Sequence, residues 1–182
     1  MSTSSGGTLA LKLAAEFPEY VDGLILFSPN VRINNSAAFV LSKPWGLQIA
    51  RMVYKGKYRI TNEDFDSKDC AYWNCKYRLE SVVFLQQLVE KTMQKELFTR
   101  ITCPVFLGYY FKDNDHQDDV IKVEAARTMF QDLGTPGHLK REKAFPDAET
   151  HTIACELFSK AVDAVRTETY IFASDILNMN PK

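Results

Sequence analysis

Strong charge of either sign is missing. With 22 basic and 23 acidic residues the net charge is −1, so the chain as a whole has no field to gather nucleic acid or an anionic membrane. Neither partner is expected. No apolar run approaches the ~20 residues of a membrane span, and none resembles the core of a secretory leader, so stable membrane insertion is not expected either. Cysteine is sparse and scattered: Cys70, Cys75, Cys103 and Cys155 lack the C-x-x-C pairs of zinc sites. That predicts reduced thiols, buried or incidental, with no metal, no cofactor and a cytoplasmic location. Asn34-Asn35-Ser36 matches a glycosylation sequon, but so short a pattern is common by chance.

What is present suffices for one globular core: 182 residues, 46% hydrophobic and 12% aromatic. Tyr20 to Pro29 is a short apolar run bounded by glycine and proline, which predicts a strand buried on both faces of a parallel sheet. Residues 30–100 change character. Pro44-Trp45-Gly46 breaks the segment, aromatic and basic residues mix from Tyr54 to Arg59, and Tyr72-Trp73 follow. Val82, Val83, Leu85, Leu88, Val89, Met93 and Leu97 then recur at helical spacing, so a mostly helical insertion is expected. Pro104 to Phe111 predicts a second buried strand, and Val120 to Leu133 a helix closed by Gly134 as its C-terminal cap. His138 to Phe145 predicts a polar edge strand, and Ile153 to Ile176 a long amphipathic helix. Strands alternating with helices imply an α/β chain with a parallel sheet.

The chemistry-bearing stretch is Ser2-Thr3-Ser4-Ser5-Gly6-Gly7, followed by an amphipathic run that ends before Pro18. Small residues two before and two after a serine, at the opening of a helix, fit a nucleophile elbow, because bulky side chains would collide with the strained turn. Ser4 is the candidate nucleophile, flanked by Ser2 and Gly6. A register shifted by one would select Ser5 and place the bulkier Thr3 in the first small position. A serine hydroxyl needs a histidine to take its proton, and the histidine needs a carboxylate to fix its tautomer. After an elbow the order is Ser, acid, His. The chain supplies Ser4, an acidic loop past the second strand, and His151 between the third strand and the last helix. His116 lies inside the acidic loop and His138 at the start of a strand.

Three blocks carry a family resemblance: S-T-S-S-G-G-T-L-A-L-K-L-A-A-E-F-P-E-Y-V-D-G-L-I-L-F-S-P, then C-P-V-F-L-G-Y-Y-F-K-D, then A-F-P-D-A-E-T-H-T-I-A. The chain resembles the C-terminal part of an α/β-hydrolase of the serine esterase and monoacylglycerol-lipase-like kind, beginning at the elbow. This implies a three-layer, partial α/β-hydrolase fold with a short parallel sheet. Residues 1–29 and 101–182 would form the core and residues 30–100 a helical lid. It also implies a Ser-His-Asp ester hydrolase acting on small acyl esters. Counted forward from Pro104, the family's acid position falls on Asp113; counted back from Val120-Ile121 it falls on Asp118. Asp113 is preferred, because the strand end fixes the acid and loop insertions usually sit beyond it. The same loop imitates a calcium loop through Asp113, Asp115, Gln117 and Glu124, but has Asp118 where the sharp turn needs glycine.

One oxyanion donor would be the backbone N–H of Ser5, and the family's other donor comes from a loop upstream of the elbow. The expectation is therefore a truncated or late-started hydrolase whose activity as a lone chain is left open, the alternative being a non-catalytic oligomeric remnant or interaction module. In such a chain the strand at Leu24–Phe27 would lose a neighbour, which predicts a homodimer or higher oligomer through the exposed edge.

Overall fold

A computed structural model of the chain describes residues 1–72 and 74–179; Trp73, one of the aromatics of the insertion, lies outside the described residues. The chain divides into two compact units, Met1–Asn34 with Thr92–Lys182, and Asn35–Lys91.

The first unit is built on four parallel strands. These are β1 (Ser2–Thr3), β2 (Leu24–Phe27) and two later ones at Val105–Tyr109 and Lys140–Ala144. The later pair lie in the order β1, β2, Val105–Tyr109, Lys140–Ala144 across the sheet. Helix α1 (Ser5–Glu16) follows β1 directly and buries Gly7, Thr8, Leu11, Ala14 and Ala15, one stripe at helical spacing. It ends at Phe17 because Pro18 cannot continue it. The apolar run 20–29 yields a strand of only four residues, since Pro18–Tyr20 forms a 3₁₀ turn ahead of it.

The edge expected at Leu24–Phe27 is partly occupied. β1 pairs with Leu26 and Phe27, so β2 lies between two strands and β1 is the sheet edge.

The second unit holds α2 (Gly46–Val53), β3 (Tyr58–Ile60), α3 (Lys68–Tyr72) and β4 (Lys76–Arg78). α4 (Leu79–Thr92) begins in it and ends at the junction. β3 and β4 pair antiparallel, an element the helical periodicity did not announce. Cys70 and Cys75 are joined by a disulfide, with Cα atoms 5.3 Å apart, so these two are not the reduced thiols expected; Cys103 and Cys155 are free. The chain turns between α3 and β4 and brings the two β-carbons together, which no C-x-x-C spacing advertises.

Back in the first unit, α5 (Lys95–Phe98) is separated from α4 by the extended Gln94. Then come β5 (Val105–Tyr109), wholly buried, α6 (Val123–Asp132), β6 (Lys140–Ala144) and α7 (Val162–Asp175). β6 is charged and mostly exposed, as its place at the sheet edge allows. Gly134 is not a left-handed cap: a β-carbon there would lie 2.2 Å from the Thr99 carbonyl oxygen, so the glycine permits a close approach of two backbones.

The last helix starts at Val162, not Ile153. Residues 152–159 instead make turns, with Cys155 N–H on Thr152 O and Ser159 N–H on Cys155 O. Phe27, Phe106, Phe145, Ile153 and Phe172 pack as one core cluster, with the Phe106 ring 5.6 Å from Phe172 and 6.3 Å, edge-on, from Phe27. No helix among the described residues is long and apolar enough to cross a membrane.

Candidate active site

The strand register puts the site's parts in one row. Thr3 pairs with Phe27, Phe27 with Gly108 and Gly108 with Lys143, so the chain leaves all four strands at the same, C-terminal end of the sheet. Ser4 follows β1, the acidic loop follows β5, and His151 follows β6.

Ser4 stands at φ 53°, ψ −123°, a backbone conformation that costs an L-residue about 1–3 kcal/mol. Ser5 is not among the positive-φ residues, so the strained position of the turn is Ser4. The turn is clamped from both sides: Ser4 N–H donates to Phe27 O at 3.0 Å, and Asn30 N–H and Gly7 N–H donate to Ser4 O, both at 2.9 Å. Gly7 allows this, because a β-carbon there would meet Pro29 Cβ at 2.6 Å and Pro29 Cα at 2.9 Å. Gly6 faces Ser2, where an added β-carbon would make an ordinary contact with Ser2 Cβ at 3.6 Å, so the close approach that excludes a side chain is at Gly7. Ser5 opens α1, where its N–H has no intrahelical partner and the helix end favours negative charge.

The acidic loop places the two candidate acids, Asp113 and Asp118, in different surroundings. A bridge between Phe111 and Gln117, with Lys112 N–H on His116 O and Asp118 N–H on Tyr110 O, folds residues 112–116 outward as a tip. The residues of the tip therefore precede Asp118. Asp118 returns to the strand end, buried, while Asp113 is left at the tip.

There Asp113 Oδ1 accepts N–H bonds from Asp115 and His116 and lies 2.8 Å from His116 Nδ1. The His116 bond holds the Asp113 carboxyl below the usual carboxylate range.

Asp118 is spent differently. Its Oδ1 accepts the N–H groups of Val120 and Ile121 at 3.0 and 3.1 Å, and its Oδ2 lies 2.7 Å from His151 Nδ1. The carboxylate is fully buried and the imidazole one-tenth exposed. A carboxylate beside Nδ1 favours the tautomer that carries the proton there, so that Nε2 holds the lone pair. His151 Nε2 is buried and has no hydrogen-bond partner among the described residues. Two residues on, Ile153 is wholly buried in the core, its Cδ1 3.3 Å from where a β-carbon at Gly108 would lie.

No family model and no curated protein sequence matches this chain. Solved structures do. A metagenome-derived lipolytic enzyme superposes with a TM-score of 0.66 at 15% identity, over 93% of this chain and 62% of its own. The monoacylglycerol lipase of Paleococcus ferrophilus gives 0.64 at 16% identity, covering 94% and 66%. A soluble variant of the Saccharomyces cerevisiae monoglyceride lipase, in complex with a substrate analogue, gives 0.63 at 17% identity, covering 93% and 62%. The chain has an α/β-hydrolase fold. It spans just under two thirds of the length of these structures.

Within this hydrolase fold the sequence did not reveal the role of the turn after β2. Ser28 stands at φ 43°, wholly buried, and Thr8 Oγ1 donates to Asn30 O at 2.6 Å, tying α1 to the same turn that grips Ser4. The signal in the sequence is Ser28-Pro29 directly after the apolar run.

Proposed function

We propose that the chain is the nucleophile-bearing part of a serine carboxylic-ester hydrolase in which Ser4 attacks, His151 carries the proton and Asp118 holds His151. The observation that supports this best is the buried Asp118–His151 pair, its Nε2 without a partner, at the end of the sheet where Ser4 is held at positive φ.

The chemistry follows from these groups. Ser4 Oγ attacks the acyl carbon while its proton moves to His151 Nε2. Asp118 stabilises the imidazolium, and the carbonyl oxygen, now negative, takes the Ser5 N–H at the head of α1. When the tetrahedral adduct collapses, the alcohol leaves with the proton from His151. Water then repeats the sequence on the Ser4 ester and releases the acid. A second oxyanion donor would contribute about 10² to 10³ in rate.

The substrate class is a small acyl ester or monoacylglycerol. The lipolytic and monoacylglycerol-hydrolysing neighbours support it. The test is hydrolysis of p-nitrophenyl butyrate together with labelling by a fluorophosphonate probe. Ser4→Ala should abolish both signals, and His151→Ala should lower the rate by at least ~10³. Equal labelling of Ser4→Ala and the parent protein would overturn Ser4.

A further inference from the structure

The polar atoms that the first unit buries without a partner are not scattered. Among its described residues they are Ser2 Oγ, Ser28 Oγ, Asn30 Oδ1 and His151 Nε2, and all belong to the segments that hold Ser4 and His151. Folded chains leave few such atoms, because each forfeits its bonds to water, so a cluster of them beside a reactive group points to a polar species that the site handles.

Asn30 is the member tied to Ser4 itself. Its N–H donates to Ser4 O at 2.9 Å and its carbonyl accepts Thr8 Oγ1 at 2.6 Å, so both backbone groups are spent on the elbow and its helix. The residue is 4% exposed, and its carboxamide oxygen is left over. The strand order β1, β2, β5, β6 puts the turn that holds Asn30 next to Ser4, on the side toward the strands that lead to Asp118 and His151.

We infer that Asn30 is a catalytic residue of the second half-reaction, its Oδ1 accepting a hydrogen bond from the water that cleaves the Ser4 ester. The inference rests on the roles given above to Ser4 and His151. In acylation Ser4 Oγ has one proton and His151 Nε2 takes it, so a further acceptor has no task. Water has two. One passes to His151 Nε2 as the water oxygen bonds to the acyl carbon; the other stays on that oxygen and needs an acceptor if the lone pair is to point at the carbon. A carboxamide oxygen accepts and carries no proton of its own. When the adduct collapses, the bond from the acyl carbon to Ser4 Oγ breaks, His151 returns its proton to that oxygen and the acid leaves.

Stopped-flow hydrolysis of p-nitrophenyl butyrate separates the two halves, since nitrophenol is released on acylation. Asn30→Ala removes the acceptor, and Asn30→Val puts an apolar group in its place. Both variants should acylate at the parent's rate and keep its kcat/KM and its fluorophosphonate labelling. Their kcat and KM should fall together, by about ten- to a hundredfold, and acid-quenched protein should carry the butyryl group on Ser4. Loss of kcat/KM or of labelling in the variants would make Asn30 a prop of the elbow and overturn the assignment. So would a kcat equal to the parent's, or loss of the folded circular dichroism in both variants. A parent that labels while the variants match it overturns the assignment alone; a parent that does not label overturns the reading of Ser4 and the assignment with it.

Discussion

Two histidine–aspartate pairs lie on the same side of this sheet, with nearly the same nitrogen–oxygen distance, 2.7 Å for His151–Asp118 and 2.8 Å for His116–Asp113. Their surroundings differ. The His151 and Asp118 side chains are 10% and 0% exposed, those of His116 and Asp113 63% and 51%. In water, solvent and salt screen such a pair and it contributes little. Buried, its partners cannot be replaced by solvent, and an unpaired group costs its full desolvation. Asp118 also spends its second oxygen on two backbone N–H groups, so the carboxylate is fixed before it meets the imidazole. The same two residue types thus make a buried, fixed pair in one place and a solvent-screened pair in the other.

Exchanging the acids should separate the pairs most sharply. Asp118→Asn should lower kcat for p-nitrophenyl butyrate by about 10⁴, through the wrong His151 tautomer, whereas Asp113→Asn should leave it within about twofold. Comparable losses in both variants would mean that the tip pair takes part after all.

A smaller effect should come from the other half of the site. Gly7→Ala forces a β-carbon into Pro29, which should cost about 1–3 kcal/mol of stability and loosen the turn that presents Ser4. A urea titration and kcat would report the two consequences separately.

The smallest effect concerns acid. Because the folded chain holds the Asp113 carboxyl below its ordinary range, its contribution to stability is present above that range and is lost as pH falls through the lowered value. Removing the carboxylate in Asp113→Asn should flatten this part of the acid limb of a plot of melting temperature against pH. An unchanged limb would show that the exposed pair contributes nothing measurable.

How far the sequence could be read follows the same division between local and long-range causes. The elbow was legible because its requirement is local: a strained serine needs small neighbours, and Ser2, Gly6 and Gly7 stand two or three positions away. The buried strands were legible because apolar runs between turn residues have few other uses. The carboxylate beside His151 was not, since finding Asp118 there, and not Asp113, required knowing that Phe111 would bridge to Gln117 and fold the residues between them into a tip. The final helix was overextended for a related reason. The apolar positions from Ile153 to Phe158 keep helical spacing, yet Ile153 is committed to the core and the chain turns at Thr152 and Cys155. Gly134 looked like a cap because it follows a helix, and only the Thr99 carbonyl beside it explains it.

By itself the sequence determined an α/β chain with a parallel sheet, a serine in a strained turn ahead of a helix, and a histidine beyond the last strand. These rest on periodicity and steric needs that act within a few residues. Tertiary structure alone decided which carboxylate meets the histidine, which cysteines join, and which glycines permit close approach. Those outcomes depend on groups far apart in the chain, brought together only when the core packs.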